Sequence, residues 1–267
     1  MKPVIKWAGG KTQLLNEIEM RIPHDFGRYY EPFIGGGALF LYLEPQRATI
    51  NDYNFKLTNL YNVIKNNPNE LIDRLSELQE NHSEDYYFEI RDLFNENILN
   101  NEYSIDDAAY FIYLNKMCYN GLYRVNSSGL FNVPSGKKKK ASLFDKDNIF
   151  DVSDLLQHTT IRTGDFEKAC NRARQGDFVF FDSPYYDTFD TYQANGFSKD
   201  DHIRLANLFK RLSERGVYCL LTNSDTDFIR SLYQDDNFII ETVEVKRMIN
   251  CDGNNRTGTE VIIRNYE

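Results

Sequence analysis

Short apolar runs bounded by turn residues alternate with longer stretches of helical spacing along this chain of 267 residues. Runs rich in aromatic and β-branched residues predict strands at Tyr29–Phe33, Ala48–Asn51, Thr160–Thr163, Phe178–Asp182, Val217–Thr222, Phe238–Val245 and Glu260–Arg264. Helices are predicted over Thr12–Arg21, Ala38–Leu43, Phe55–Asn66, Glu70–Glu80, Glu84–Asn95, Ile105–Cys118 and Lys199–Glu214. Strands separated by helices predict an α/β fold, a parallel sheet with crossover helices. Residues 57–159 supply no strand and read as a mostly helical insertion between the second and third strands. The longest apolar run, Ala108–Leu114, falls far short of the roughly 20 residues of a membrane span. The N-terminus MKPVIKWAGGKTQ has neither an apolar core nor a cleavage site, so the expected location is cytoplasmic, with no membrane partner.

Composition changes this picture little, since 41% hydrophobic and 27% charged residues are ordinary for a globular protein. Cys118, Cys170, Cys219 and Cys251 show no CxxC spacing, and His24, His82, His158 and His202 form no HExxH. No metal site and no disulfide framework is therefore expected. Charge changes it more. The net charge of −9 argues against a nucleic-acid partner when taken as a sum, but its distribution matters more. Residues 70–107 hold twelve acids against Arg74 and Arg91, a pattern of solvated helix faces. Residues 108–144 hold six bases (Lys116, Arg124 and Lys137 to Lys140) and no acid. That stretch is a candidate anion-binding surface.

Three motifs fall at predicted strand ends, where open parallel sheets bind ligands. The first, EPFIGGGALF (Glu31–Phe40), joins a strand to a helix. Gly35 and Gly37 fit a GxGxxG fingerprint, but the third glycine position is Phe40 and an acid, Glu31, precedes the loop. The second is Asp52, whose two carboxylate oxygens suit a pair of ribose hydroxyls. Together these favour a nucleoside without a pyrophosphate over a dinucleotide, which sets aside an NAD-dependent oxidoreductase. Gly9-Gly10-Lys11-Thr12 resembles the end of a phosphate loop, yet Ile5 stands where its first glycine belongs. Lys11 at a helix start suits a carboxylate instead.

The third motif, Asp182-Ser183-Pro184-Tyr185, follows an apolar strand. The Asp182 carboxylate and the Ser183 carbonyl are two acceptors suited to the hydrogens of an exocyclic amine, favouring its pyramidal, nucleophilic form. Pro184 stiffens the turn, and Tyr185 offers a stacking face. Asp, Ser and Pro are also common turn residues, so the tetrad alone does not decide. Tyr119–Pro134, YNGLYRVNSSGLFNVP, places aromatic, amide and Arg side chains inside the acid-free stretch, a pattern suited to wedging between bases and reading guanine edges.

In this order, KWAGGK, EPFIGGGALF, ND, YNGLYRVN…FNVP, GDF and DSPY resemble the DNA adenine methylase family of N6-adenine methyltransferases, over residues 4–266. The resemblance implies a Rossmann-like methyltransferase sheet that binds S-adenosylmethionine, formed by residues 1–56 and 160–267. Residues 57–159 would then form an inserted, mostly helical domain for DNA target recognition. It implies Trp7, Lys11, Glu31, Phe33, Gly35, Asp52, Asp165, Phe166 and Asp182 around the methyl donor, and Asp182, Ser183, Pro184 and Tyr185 as the catalytic tetrad. It implies double-stranded DNA, usually at GATC, contacted by Lys6, Tyr119, Asn120, Leu122, Arg124 and Pro134. Lys137, Lys138, Arg247 and Arg256 are added from their charge. A monomer or weak dimer is expected. A restriction endonuclease acting on the same site without direct contact and a link to DNA replication are compatible settings. The family's usual tetrad is DPPY; Ser183 keeps the backbone carbonyl but lacks the ring that locks φ. An RNA methyltransferase, or a DNA-binding relative weakened in catalysis, remains an alternative at this point.

Overall fold

The computed structural model describes residues 1–7, 9, 14–140, 142–186, 196–246 and 257–267. Along the chain run α1 (Leu15–Glu19), β1 (Tyr29–Glu31), α2 (Ala38–Leu43), β2 (Ala48–Asp52), α3 (Phe55–Asn66), α4 (Pro68–Glu80), α5 (Glu84–Leu99) and α6 (Ile105–Met117). Then come α7 (Lys146–Gln157), β3 (Thr159–Thr163), α8 (Phe166–Cys170), β4 (Phe178–Phe181), α9 (Lys199–Glu214), β5 (Tyr218–Ser224), α10 (Asp227–Leu232), β6 (Ile239–Lys246) and β7 (Thr257–Arg264). Side-chain caps start many helices: Asn54 for α3, Ser83 for α5, Ser104 for α6, Asp145 for α7 and Ser198, in a capping box, for α9.

The strands form one sheet in the order β3-β2-β1-β4-β5-β7-β6. β1 pairs in parallel with β2 on one side and β4 on the other, so the chain order reverses between β1 and β4. A crevice opens at such a reversal beyond the carboxyl ends of the strands. β4, FVFF, is buried along its whole length, which explains its unbroken apolar run. β7 departs from the expected parallel pairing, lying antiparallel to both β5 and β6. The ten residues between β6 and β7 are too few for a parallel crossover, which needs about a dozen or more.

One face of the sheet shares a continuous core with α3–α7, including Tyr29, Phe40, Ile50, Leu60, Leu75 and Phe111. The other face packs Val179, Phe181 and Leu221 against Leu205, Phe209 and Leu212 of α9. The pattern reading missed α7, α8 and α10. Two of these, α8 and α10, have five and six residues and are too short to establish a period. In α7, Ile149, Val152 and Leu156 do follow helical spacing and are buried.

Candidate active site

Loops from three strands are tied together at the crevice. Asn51 of β2 donates from Nδ2 to the carbonyls of Pro32 and Gly164, at 2.9 Å each. The Ile34 amide donates to the Asn51 carbonyl at 2.8 Å. These bonds bring the segments after β1, β2 and β3 to one edge. Glu31, the buried last residue of β1, accepts from the Tyr29 hydroxyl at 2.7 Å. Asp52 accepts the Gly35 amide at 3.1 Å and the Asn54 amide at 2.9 Å. Burial pushes the Asp52 carboxyl up to about 6, against the lowering effect of those amides. Burial, and then the charges of Glu31 and Asp182, push the Tyr29 hydroxyl far up. Burial, and then Glu31 and Asp52, do the same to Tyr61. Strand order sets Glu31, the last residue of β1, between Asp52, the last residue of β2, and Asp182, the residue after β4.

The glycine loop has a structural role in addition to the one its sequence suggested. A Cβ on Gly35 (φ +48°) would lie 2.7 Å from Trp7 Cδ1, and one on Gly37 (φ +69°) would lie 2.7 Å from the Tyr61 hydroxyl. Tyr61 donates to the Gly35 carbonyl at 3.0 Å. The glycines therefore make room for the protein's own aromatic side chains, where the sequence reading gave that space to a ligand. Trp7 in turn stacks on Tyr123, with centroids 5.3 Å apart and planes at 24°, which couples this loop to the segment at 119–134.

Near Glu31 in sequence, Phe33 joins an aromatic cluster. Phe33 and Phe166 are 5.2 Å apart, and Phe197 approaches them at 5.7 and 5.9 Å. Phe197 was not singled out from sequence. Its readable signal was its position just before the Ser198 cap: it contacts His202 at 4.7 Å as a hydrophobic staple. Asp165 caps α8 through the Glu167 amide at 3.0 Å and pairs with Arg204 at 2.6 Å. Burial raises the Asp165 carboxyl, but Arg204 and the backbone amides outweigh this and hold it below its ordinary value.

The tetrad leaves the end of β4. Asp182 Oδ1 accepts from the Thr222 hydroxyl at 3.2 Å. Ser183 is buried, and its hydroxyl oxygen accepts from Asn223 Nδ2 at 3.2 Å. Pro184 and Tyr185 are half-buried, and the Tyr185 hydroxyl donates to Glu260 of β7 at 2.6 Å. Thr222, Asn223 and Glu260 were also missed as site residues. Thr222 and Asn223 lie 40 residues from the tetrad in sequence, and Glu260 reaches it because β7 turns back beside β5.

A second group surrounds a 3-10 turn at Tyr119–Gly121. Asn115 clamps Lys6 to that turn: it accepts the Lys6 amide at 2.8 Å and donates to the Lys6 and Gly121 carbonyls at 2.8 and 3.3 Å. Tyr119 is 56% exposed, and its amide donates to the Pro134 carbonyl at 2.9 Å. Asn120 is exposed with φ +57°, whereas Leu122 is half-buried. Arg124 is exposed, its guanidinium donating to Asn132 Oδ1 at 2.9 Å and to the Asn132 carbonyl at 3.3 Å. Lys137 is exposed, whereas the Lys138 ammonium turns in to the Lys116 carbonyl at 2.5 Å. Burial, then Lys6 and Lys138, lower the Lys116 ammonium. Lys11, Arg247 and Arg256 lie outside the described residues. Among the described residues, no group of three or more His, Cys, Asp or Glu has metal-binding geometry, and no helix is long and apolar enough to cross a membrane.

Comparison with known proteins adds a family match. A model of the D12 class N6 adenine-specific DNA methyltransferases matches residues 7–249. Type II methyltransferase M.MjaIII of Methanocaldococcus jannaschii is 41% identical, covering 100% of this chain and 99% of its own. Type II methyltransferase M1.LlaDCHI of Lactococcus lactis subsp. cremoris is 40% identical, covering 100% and 96%. The DNA adenine methylase of Escherichia coli K12 is 31% identical, covering 98% and 94%.

Proposed function

Since the chain belongs to the D12 class of N6 adenine-specific DNA methyltransferases, we propose that it transfers a methyl group from S-adenosylmethionine to a flipped adenine within GATC in duplex DNA. The observation that carries this reading is the tetrad itself. Asp182 leaves the end of β4 at the sheet's reversal point, on the same edge as Glu31 at the end of β1 and Asp52 at the end of β2.

The residues present fit the donor. The cluster of Phe33, Phe166 and Phe197 offers apolar ring surface to a purine, and Asp52 suits ribose hydroxyls. The surrounding carboxylates favour a cationic ligand and disfavour a pyrophosphate. Trp7, Lys11, Glu31 and Gly35 complete the proposed set, with Asp165 sharing its oxygens between Arg204 and the purine. When bound, the donor supplies an electrophilic methyl group. The Asp182 carboxylate and the Ser183 carbonyl would accept the hydrogens of the adenine amine and turn its lone pair toward that methyl. As the N–C bond formed, the S–CH3 bond would break with its electron pair left on a thioether, and Asp182 would take up the proton that N6 loses. Tyr185, fixed at its hydroxyl by Glu260, stacks on the flipped base, offsetting the few kcal/mol that unstacking costs. In this reading the transfer is direct: among the described residues, Cys118, Cys170 and Cys219 are buried and burial raises all three thiols, which unsuits them as nucleophiles.

Residues 57–159 act as the recognition region in this reading, and 1–56 with 160–267 as the catalytic one. Tyr119 fills the gap left by the adenine, and Lys6 and Arg124 read guanines. Asn120, Leu122, Pro134, Lys137, Lys138, Arg247 and Arg256 complete the DNA contacts. The protein works in the cytoplasm as a monomer or weak dimer. The test is transfer of radiolabelled methyl from S-adenosylmethionine to matched duplexes, one carrying GATC and one with its guanine changed. Label on the GATC duplex alone is expected. Equal label on both would discard GATC and keep the methyltransferase, and label on neither would discard this substrate.

A further inference from the structure

Asn223 is the penultimate residue of β5, the strand beside β4, and is 1% exposed. Its amide spans the tetrad turn. Nδ2 donates to Ser183 Oγ at 3.2 Å, and Oδ1 accepts the Tyr186 amide at 3.0 Å. Ser224 closes the brace: its amide donates to Asn223 Oδ1 at 2.9 Å, and its hydroxyl donates to the Tyr186 carbonyl at 2.8 Å. Two backbone N–H groups on Oδ1 fix the amide's orientation, so Nδ2 must face the serine. Both residues flanking Pro184 and Tyr185 are therefore held from β5.

This brace sits where the chain departs from the DPPY pattern it resembles. A proline at position 183 would fix φ through its ring, and serine has no such lock. We propose that Asn223 is a positioning residue: by seating the Ser183 side chain and the Tyr186 amide, it replaces the missing ring and holds the Ser183 carbonyl on the adenine amine. The inference rests on the N6-transfer reading above. Its magnitude follows from geometry, because a displacement of about 1 Å at a reacting group costs on the order of 100-fold in rate.

The test is a cycle of Asn223→Ala with Ser183→Pro, read by single-turnover methyl transfer and by KM for duplex DNA. Asn223→Ala is expected to lower the transfer rate about 20- to 100-fold in the serine background, with KM changed less than about threefold. In the Ser183→Pro background the same change is expected to cost at least about tenfold less. Equal costs in both backgrounds, within about twofold, would overturn the proposal. If Asn223→Ala fails to fold, Ser183→Ala takes its place; it removes only the hydroxyl, and a wild-type rate would overturn the proposal. Hydrogen exchange of the Ser183, Tyr185 and Tyr186 amides gives a readout independent of turnover, expected to speed at least about tenfold at Tyr186 in Asn223→Ala. Should the unaltered protein methylate no duplex, the functional reading falls while exchange still judges the brace: unchanged exchange means there is none.

Discussion

Asp182 and Ser183 leave a wholly buried central strand, and the turn they begin is fastened by Thr222, Asn223 and Glu260 from two neighbouring strands. Tyr119, Asn120 and Arg124 stand on a short turn and a loop whose pairing outside named strands amounts to isolated bridges, Cys118 with Ser135 and Val125 with Phe131. The first region is acidic and inward; the second is basic and presents Tyr119, Asn120 and Arg124 outward. A negatively charged protein can serve a polyanion because the two signs are segregated. In the function proposed above, Glu31, Asp52 and Asp182 at the strand ends would serve an amine and a sulfonium, and the acid-free stretch 108–144 would meet phosphate. Trp7 joins the two, lying against Gly35 on one side and stacking on Tyr123 on the other.

If that division is right, damage to the crevice removes chemistry and spares binding. Asp182→Ala is expected to lower single-turnover methyl transfer by about 1,000-fold or more, with duplex affinity by fluorescence anisotropy within about threefold. A variant that keeps transferring would break the comparison at its root. Damage to the surface should do the reverse. Arg124→Ala is expected to cost about 1–3 kcal/mol of discrimination at one guanine while leaving the maximal rate on the intact site close to wild type. Its guanidinium now donates to Asn132, so it must exchange those bonds for a base edge. An unchanged sequence preference would remove Arg124 from readout.

The sequence was more informative about the first region than the second, for a physical reason. The crevice is assembled from strand ends, and strands such as Phe178–Phe181 announce themselves as apolar runs closed by an acid or a turn. Asp52, Asp182 and the glycine loop were therefore legible from spacing. What spacing could not supply were partners from distant elements: Asn223 across from Ser183, Glu260 from a strand that runs antiparallel, and Phe197 from the approach to α9. The glycines were located correctly, but half their reason was Trp7 and Tyr61, which lie far from them in sequence. On the surface, composition gave the basic stretch but not its geometry. Lys138 looks identical to Lys137 in a run of lysines, yet its ammonium closes on the end of α6.

Asp52 offers a smaller effect that sharpens the picture of the crevice. Its folded pKa of about 6 lies above the ordinary 3.8, chiefly through burial. The sign follows directly. The protonated form is favoured in the folded protein, so this group's contribution to stability is fully present below about pH 4 and is lost as pH rises through about 6. In the function proposed above, the ionised form is the one that would accept ribose hydroxyls. Donor affinity, measured by calorimetry, is therefore expected to be flat above about pH 6 and to fall by up to tenfold per pH unit below it. Asp52→Asn should flatten that acid limb, and a limb that persists unchanged would assign it to another group.

The smallest expected effect concerns the surface alone. Each phosphate neutralised by a lysine contributes about 0.9 to the slope of log affinity against log salt, because binding releases condensed counterions. Lys137 is exposed, whereas Lys138 already bonds the Lys116 carbonyl. Lys137→Ala is thus expected to reduce the slope by about one and Lys138→Ala by less, with the methyl-transfer rate at saturating DNA unchanged for Lys137→Ala. Between 50 and 200 mM salt, a slope change of about one amounts to only about a fourfold difference in relative affinity, so the slope is the readout to trust over any single affinity. Equal slopes for the two variants would mean that the inward bond of Lys138 opens on DNA. The surface would then be remade on binding, and the contrast with the fastened crevice would be greater.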